Sequence, residues 1–378
     1  MSSSNVYIFT NSYLPILGGI QTVTGQIAEG LNNSLAIRII TNKYPKNLKS
    51  KEIINGVFVN RYRLGNSYAP LNSIKGIITR LNSYVFFTVN LLRFLILFTK
   101  DSPKVINIHF PLHQIKYVLF LKRFFNFRII TSFHGHDVLR WLETSKKSNL
   151  FKDQLKLISI SDEVTACSNY LSREVESVYN LAPKSVKTIY NGTDLVNRRK
   201  KQNFNNYPYV FAFGRLEYHK GFDILIKAFS KIDHNNLQLV IAGTGSHESD
   251  LKSLAKNLKL KDNIKFIGRI SKSEIDSYTK NALCIVIPSR REPFGIAVLE
   301  AIASGRPVLA TNVGGIPELL NKKFGLMVMP NLEEMTSGLE QLLNRFESPS
   351  VNIIDNYIKK FSVEIMVNNY KKYLDFEC

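Results

Sequence analysis

Glu292 and Glu300 enclose the run PFGIAVL, and two cations, Arg215 and Lys220, lie upstream in FGRLEYHKG. Proline is favoured at a first helical position, where its missing N–H would be unpaired anyway. The spacing therefore predicts a helix from Pro293 that Gly305 and Pro307 stop. Glu292 then sits on the loop ahead of the helix and Glu300 lies two turns inside it. Eight residues at the helical rise separate the two by roughly 12 Å along the axis. A sugar joined to a nucleoside through a diphosphate has a comparable length. The free N–H groups and the positive dipole end of the helix start favour phosphate between the two acids. One carboxylate would accept from sugar hydroxyls and the other from ribose hydroxyls. The plainer reading is a capped helix whose glutamates are merely solvated. Two glutamates at this spacing are weak alone, but EPFG and the downstream NVGGIPE turn make the combination specific. The candidate contacts here are Glu292, Phe294, Gly295, Ile296 and Glu300.

A departing nucleoside diphosphate leaves negative charge on its bridging oxygen, and cations held there accelerate departure. Arg215 and Lys220 suit this role: they follow the strand expected to end at Phe213, at the end of a parallel sheet where ligands bind. Arg215 can grip two phosphate oxygens and Lys220 adds a point charge. Gly18 and Gly19 follow the first expected strand, where glycine lets main-chain N–H groups approach a diphosphate or sugar. His134, in FHGHD, is the candidate beside the reacting carbon, able to hydrogen-bond a sugar hydroxyl or steady charge on the ring. His109, His136 and Asp137 are neighbours that could share the work. IAGTGSHE at 241–248 lacks the third glycine of a dinucleotide loop, which argues against a nicotinamide role.

Taken together these segments resemble the retaining nucleotide-sugar glycosyltransferases of family 4. The match runs through LGGIQTV, FHGHD, NGTD at 191–194, FGRLEYHKG, IAGTG, FIGRI at 266–270 and the glutamate segment, in the family's order. The resemblance implies the α/β fold called GT-B, two Rossmann-like doubly wound domains facing across a cleft. It implies sugar transfer from a nucleoside diphosphate with retention at the anomeric carbon, and usually no metal ion or other cofactor. The absence of any Asp-x-Asp agrees with that. It also places a histidine matching His134 at the donor sugar, and Ile270 near the base. Front-face attack, with the leaving phosphate taking the acceptor's proton, needs no fixed base, and no residue stands out as a covalent nucleophile.

The elements that must position these residues follow from pattern. The chain has 378 residues, 44% hydrophobic, enough for two α/β cores. Strands are expected at Val6–Thr10, Ile37–Thr41, Val57–Arg61, Val105–Ile108, Arg128–Ser132, Val164–Ala166 and Val186–Ile189. A second series runs Tyr209–Phe213, Leu237–Ala242, Ile264–Ile267, Leu283–Ile287, Pro307–Thr311 and Gly325–Val328. A helix is expected at about Gln21–Leu31. Residues 1–195 form the expected acceptor-binding domain and 205–360 the nucleotide-sugar domain, joined by the polar stretch 195–208. By resemblance, a final helix at 361–378 packs back on the first domain.

Charge is uneven. Of the net +20, residues 1–128 contribute +13, from 16 Lys and Arg against 3 Asp and Glu. An anionic partner for the first domain follows: a membrane surface, a phosphorylated lipid acceptor or nucleic acid. Residues 75–100 and 116–128 mix aromatic and apolar residues with cations. Tyr84–Phe98 is interrupted by Asn90 and Arg93 and is shorter than the roughly 20 residues a span needs. A long helix packed on the first sheet is the favoured reading, with peripheral contact to an anionic membrane second. Three scattered cysteines, Cys167, Cys284 and Cys378, argue against a disulfide framework and for a reducing cytosol. The first residues show no secretory signal.

The expectation is thus a cytoplasmic glycosyltransferase at the inner face of the membrane. It would move a hexose or N-acetylhexosamine, with a uridine diphosphate sugar as donor and a glycan or lipid-linked glycan as acceptor, in cell-surface polysaccharide or lipopolysaccharide synthesis. The rivals are an epimerase or phosphorylase of the same fold, a basic nucleic-acid-binding protein, for which no recognisable module exists, and an inactive membrane scaffold. Isomerisation without an acceptor, or salt-dependent duplex binding without nucleotide-sugar affinity, separates the first two from transfer.

Overall fold

The computed structural model describes residues 5–16, 18–65, 73–193, 208–233, 236–345 and 349–375. The chain divides into two compact units, Met1–Gly192 with Val363–Cys378, and Thr193–Ser362. The polar stretch expected as a linker lies almost wholly outside the described residues.

The first unit is built on strands β1 (Val6–Thr10), β2 (Ile37–Asn42), β3 (Lys51–Ile54), β4 (Val57–Tyr62), β5 (Val105–His109), β6 (Arg128–Phe133), β7 (Glu163–Ala166) and β8 (Lys187–Thr188). Their order is β3-β4-β2-β1-β5-β6-β7-β8. All neighbours run parallel except β3 and β4. The central strands β1 and β5 are buried throughout, but only β1 reads as a nearly continuous apolar run, since β5 carries Asn107 and His109. Strand β3, by contrast, is an edge with alternating exposure, and no apolar run marks it. Its signal is Asn55–Gly56, a two-residue turn with both φ angles positive that pairs Ile54 with Val57. The expected Val186–Ile189 strand shrinks to two residues at the opposite edge.

The first helix runs Gly19–Leu35, longer at both ends than the apolar periodicity indicated. Residues Ile74–Asp101 form one 28-residue helix, which packs on the first sheet, as expected, but only through its C-terminal part. Only Gly76, Ser83, Asn90, Phe94, Phe98 and Asp101 are buried. Its C-terminal part is anchored by rings: Phe94 lies 4.5 Å from Tyr62 and 5.2 Å from Tyr117, and Phe98 lies 5.3 Å from Tyr7. The rest turns Ile74, Ile77, Ile78, Leu81, Tyr84, Val85, Val89, Leu92 and Ile96 to solvent. The C-terminal helix Val363–Leu374 packs on the first helix, where an added Cβ on Gly30 would meet Val367 at 2.9 Å. Met366 Sδ accepts from Gly192 N at 3.0 Å and Tyr370 is buried.

The second unit holds six parallel strands: β9 (Tyr209–Phe213), β10 (Gln238–Ala242), β11 (Ile264–Gly268), β12 (Cys284–Ile287), β13 (Val308–Thr311) and β14 (Gly325–Val328), ordered β11-β10-β9-β12-β13-β14. Order reverses direction between β9 and β12, and the loops carrying Arg215, Lys220 and Glu292 leave the C-terminal ends of those two strands. That reversal is the place where open parallel sheets receive ligands.

Candidate active site

The loop after β9 is pinned by the loop after β10. Gly214 N donates to Ala242 O and Leu216 N to Thr244 O, each at 3.0 Å. A Cβ on Gly243, at φ +136°, would strike Gly214 O at 1.8 Å. IAGTG is therefore a backbone clamp under the Arg215 loop. Next comes the turn Tyr218–Lys220. Arg290 holds it to the segment after β12: its guanidinium grips Asp223 at 2.6 and 2.8 Å, donates to Tyr218 O at 3.0 Å and lies 4.2 Å from the Tyr218 ring centroid. Arg290 N and Arg291 N both donate to His219 O. Burial, then the nearby charges of Lys220 and Arg215, push His219 down to about 4. The His219 imidazole is thus neutral in the field of these two cations.

Lys220 Nζ reaches Glu292 Oε2 at 2.6 Å, and Ser289 Oγ donates to the same oxygen at 3.4 Å. The helix expected from Pro293 begins later in the chain. Pro293 does not begin the helix: Gly295, at φ +106°, precedes a helix spanning Ile296–Ser304. Only glycine adopts that angle freely, so Pro293 and Phe294 belong to a turn. Gly315 N donates to Glu292 O at 2.9 Å, and a Cβ on Gly314 would meet that oxygen at 2.0 Å, so NVGGIPE is the partner that shapes EPFG. Glu300 is the fifth helical residue, roughly 6 Å along the axis from Ile296. It stands just over one turn in, so the uniform 12 Å spacing does not apply. Gly305 at φ +80° ends the helix.

The helix start has no side-chain cap, and Phe294 is buried beneath it. Glu300 meets Lys272, whose Nζ is 2.5 Å from Oε1. Burial pulls Lys272 down, but Glu300 and then Asp276 outweigh it and hold the ammonium above its ordinary range. Ile270 is two residues before Lys272, at the entry to the helix Lys272–Asn281. The second unit thus brings Lys220 and Glu292 together at the helix start, with Glu300 and Lys272 farther along the same helix. Neither Lys272 nor Arg290 stood out in the sequence. The first arginine of PSRRE and a lysine after FIGRI are the only hints.

In the first unit, Gly18 caps the helix Gly19–Leu35 in an extended conformation, with no side-chain cap. Thr22 N and Thr22 Oγ1 both donate to Gly18 O. The FHGHD turn sorts its own members. Asp137 is fully buried and its carboxylate accepts from Gly135 N at 2.6 Å and His134 N at 3.1 Å. Burial raises it to about 7, against the pull of those N–H groups. It builds the turn. His136 is exposed and His109 wholly buried, whereas His134 is partly exposed. His109 Nδ1 lies 2.8 Å from His134 Nε2. Among the described residues no group of three or more His, Cys, Asp or Glu could hold a metal ion, and the buried Cys167 and Cys284 form no disulfide.

Known proteins share this fold. Residues 17–197 match the family described as Glycosyltransferase Family 4, and residues 195–360 match Glycosyl transferases group 1. An uncharacterized glycosyltransferase of Methanocaldococcus jannaschii is 30% identical over 366 residues, covering 90% of this chain and 89% of the relative. Among solved structures, a sucrose-phosphate synthase from Thermosynechococcus elongatus superposes with a TM-score of 0.77 at 20% identity, covering 98% of both chains. An Anabaena protein crystallised with UDP-glucose gives a TM-score of 0.73 at 18% identity, covering 98% of this chain and 99% of that one. With two doubly wound, mainly parallel sheets and a relative matched along nearly its whole length, the chain belongs to the glycosyltransferases of the GT-B fold.

Proposed function

We propose that the protein is a retaining family 4 enzyme that transfers a hexose or N-acetylhexosamine from a UDP-sugar to a glycan or lipid-linked glycan. The observation that carries this reading is the Lys220–Glu292 pair, 2.6 Å apart, at an uncapped helix start. With a donor bound, Lys220 and Arg215 move to the diphosphate, whose other oxygens meet the N–H groups of Gly295 and Ile296. Glu292 accepts from sugar hydroxyls and Glu300 from the ribose, releasing Lys272. Phe294 supports the turn, Ile270 borders the base, and Gly18 and Gly19 offer main-chain N–H groups. His134 is assigned to a hydroxyl of the transferring sugar. The acceptor oxygen bonds to the anomeric carbon on the face that the phosphate oxygen leaves. The acceptor's proton passes to that phosphate, so the protein need supply charge neutralisation rather than a base. A uridine donor draws support from the UDP-glucose complex of the Anabaena protein.

The acceptor reading rests on the helix Ile74–Asp101. Its exposed apolar residues recur at spacings of three, four and seven, so they form one stripe. Exposed Lys75, Arg93 and Lys100 flank it on one side. Phe94 and Phe98 are held in the core, so the helix lies in the surface of an anionic membrane rather than across it. The enzyme would work there at the cytoplasmic face. Incubating the protein with UDP-sugars and membrane extract, then reading the anomeric configuration of the product by NMR, tests transfer and retention together. An inverted product removes the retaining assignment. Isomerised donor without transfer supports the epimerase instead.

A further inference from the structure

We propose that Asn107 and His109 are positioning residues that fix His134 as the tautomer with hydrogen on Nε2, leaving Nδ1 as acceptor for a hydroxyl of the transferring sugar. The inference rests on the sugar-contacting role given to His134 above, but the tautomer itself follows from hydrogen-bond logic within the first unit.

The chain of bonds starts at a group whose polarity is settled. Asn107 Nδ2 lies 3.1 Å from Ile130 O and 2.9 Å from Ser132 Oγ. A main-chain carbonyl can only accept, so the amide nitrogen faces β6 and Oδ1 faces His109. Oδ1 is 2.5 Å from His109 Nε2, which must therefore carry a hydrogen. A neutral imidazole with hydrogen on Nε2 has a lone pair on Nδ1. That Nδ1 is 2.8 Å from His134 Nε2, so His134 is the donor of this bond. His134 then keeps its own Nδ1 lone pair, and among the described residues no hydrogen bond occupies it.

Burial holds His109 neutral, and desolvation pushes His134 down to about 4, so both rings are uncharged at neutral pH. Strand geometry makes the relay possible. Asn107 and His109 share one face of β5, and register sets His109 opposite Ser132, two residues before His134. The Tyr370 ring, 5.6 Å from His109, closes the far side. Such second partners decide which imidazole nitrogen is presented.

The test uses the full chain labelled with 15N-histidine, with His134 signals assigned by comparison with His134→Asn. Wild type should show His134 protonated on Nε2 and bare on Nδ1 at neutral pH. His109→Phe removes the acceptor. Both His134 tautomers should then appear, and turnover should fall roughly tenfold, the factor one hydrogen bond commands, while UDP affinity is unchanged. His109→Gln offers a carbonyl toward His134 and an amide N–H toward Asn107, and should restore the wild-type tautomer and most of the turnover. Hydrogen on His134 Nδ1 in wild type overturns the proposal whatever the variants do. So does a folded His109→Phe protein with unchanged turnover, or a folded His109→Gln protein as impaired as His109→Phe. Failure of wild type to bind any UDP-sugar would instead defeat the donor reading and leave the tautomer measurement standing.

Discussion

The two units place their candidate residues by different means. In the second unit, main chain presses on main chain. The Arg215 loop lies on the IAGTG turn and the EPFG turn lies on Gly314 and Gly315, so that an added Cβ would strike a carbonyl oxygen at 2.0 Å or less at Gly243 and Gly314. The side chains then pair as ions, Lys220 with Glu292, Lys272 with Glu300 and Arg290 with Asp223. In the first unit the glycine turn is looser. Gly18 is extended, and a Cβ there would meet only the tip of Gln21, at 2.5 Å. Order around His134 comes instead from buried neutral hydrogen bonds. A backbone-set cradle suits a ligand part common to many donors, the diphosphate. Neutral side-chain bonds suit hydroxyls, which differ from sugar to sugar.

The largest effect that would break this contrast is expected at Gly314. Gly314→Ala has to move the Glu292 carbonyl, and alanine at φ +59° is strained besides. It should cost about 1–3 kcal/mol of stability and abolish measurable donor binding, whereas Gly18→Ala should keep nearly wild-type stability and weaken donor binding without abolishing it. Equal damage at both positions, by denaturant titration and donor binding, would erase the distinction. Next in size, Arg215→Ala or Lys220→Ala should lower turnover roughly 100-fold, as loss of a charge-stabilising donor does. Steady-state kinetics with near-normal turnover in either variant would remove that residue from the diphosphate.

A smaller effect concerns the exposed helix. Leu81→Glu with Leu92→Glu alters side chains that are 61% and 60% exposed, so the fold should persist. Binding to vesicles containing phosphatidylserine should drop about tenfold or more, since two apolar anchors are lost and two like charges gained. Unchanged co-sedimentation would detach this helix from the membrane.

The smallest effect sharpens the electrostatic half. His109, His113 and His134 all have folded values below the ordinary 6.5, with His113 and His134 near 4 and burial the main cause. The unfolded chain therefore binds more protons between about pH 6.5 and 4. Stability contributed above that window is lost as pH falls through it. Asp137, raised to about 7, acts in the opposite sense and partly offsets the slope. Denaturation at pH 7 and pH 5 should show a loss on acidification that His113→Gln reduces. A slope unaffected by that substitution would contradict the assignment.

Much of this was legible before any coordinates. Parallel strands buried on both faces are apolar runs, which is why β1, β9 and β12 stand out. Strand β3 did not, because an edge strand exposes every other side chain and only Asn55–Gly56 announces it. The helix starts at Ile296 rather than at the expected Pro293 because Gly295 takes a left-handed angle that propensity does not reveal. Lys272 and Asn107 were invisible for a different reason. Lys272 matters through Glu300, 28 positions away, and Asn107 through strand register, so neither carries a local pattern.

Titration calorimetry with UDP and a UDP-sugar on wild type, Lys220→Ala and Glu292→Ala tests the central claim most directly. The account predicts that UDP binding depends on Lys220 and not on Glu292, while the gain in affinity from the attached sugar disappears with Glu292. No heat from any nucleotide sugar in wild type, or full affinity in both variants, would contradict it.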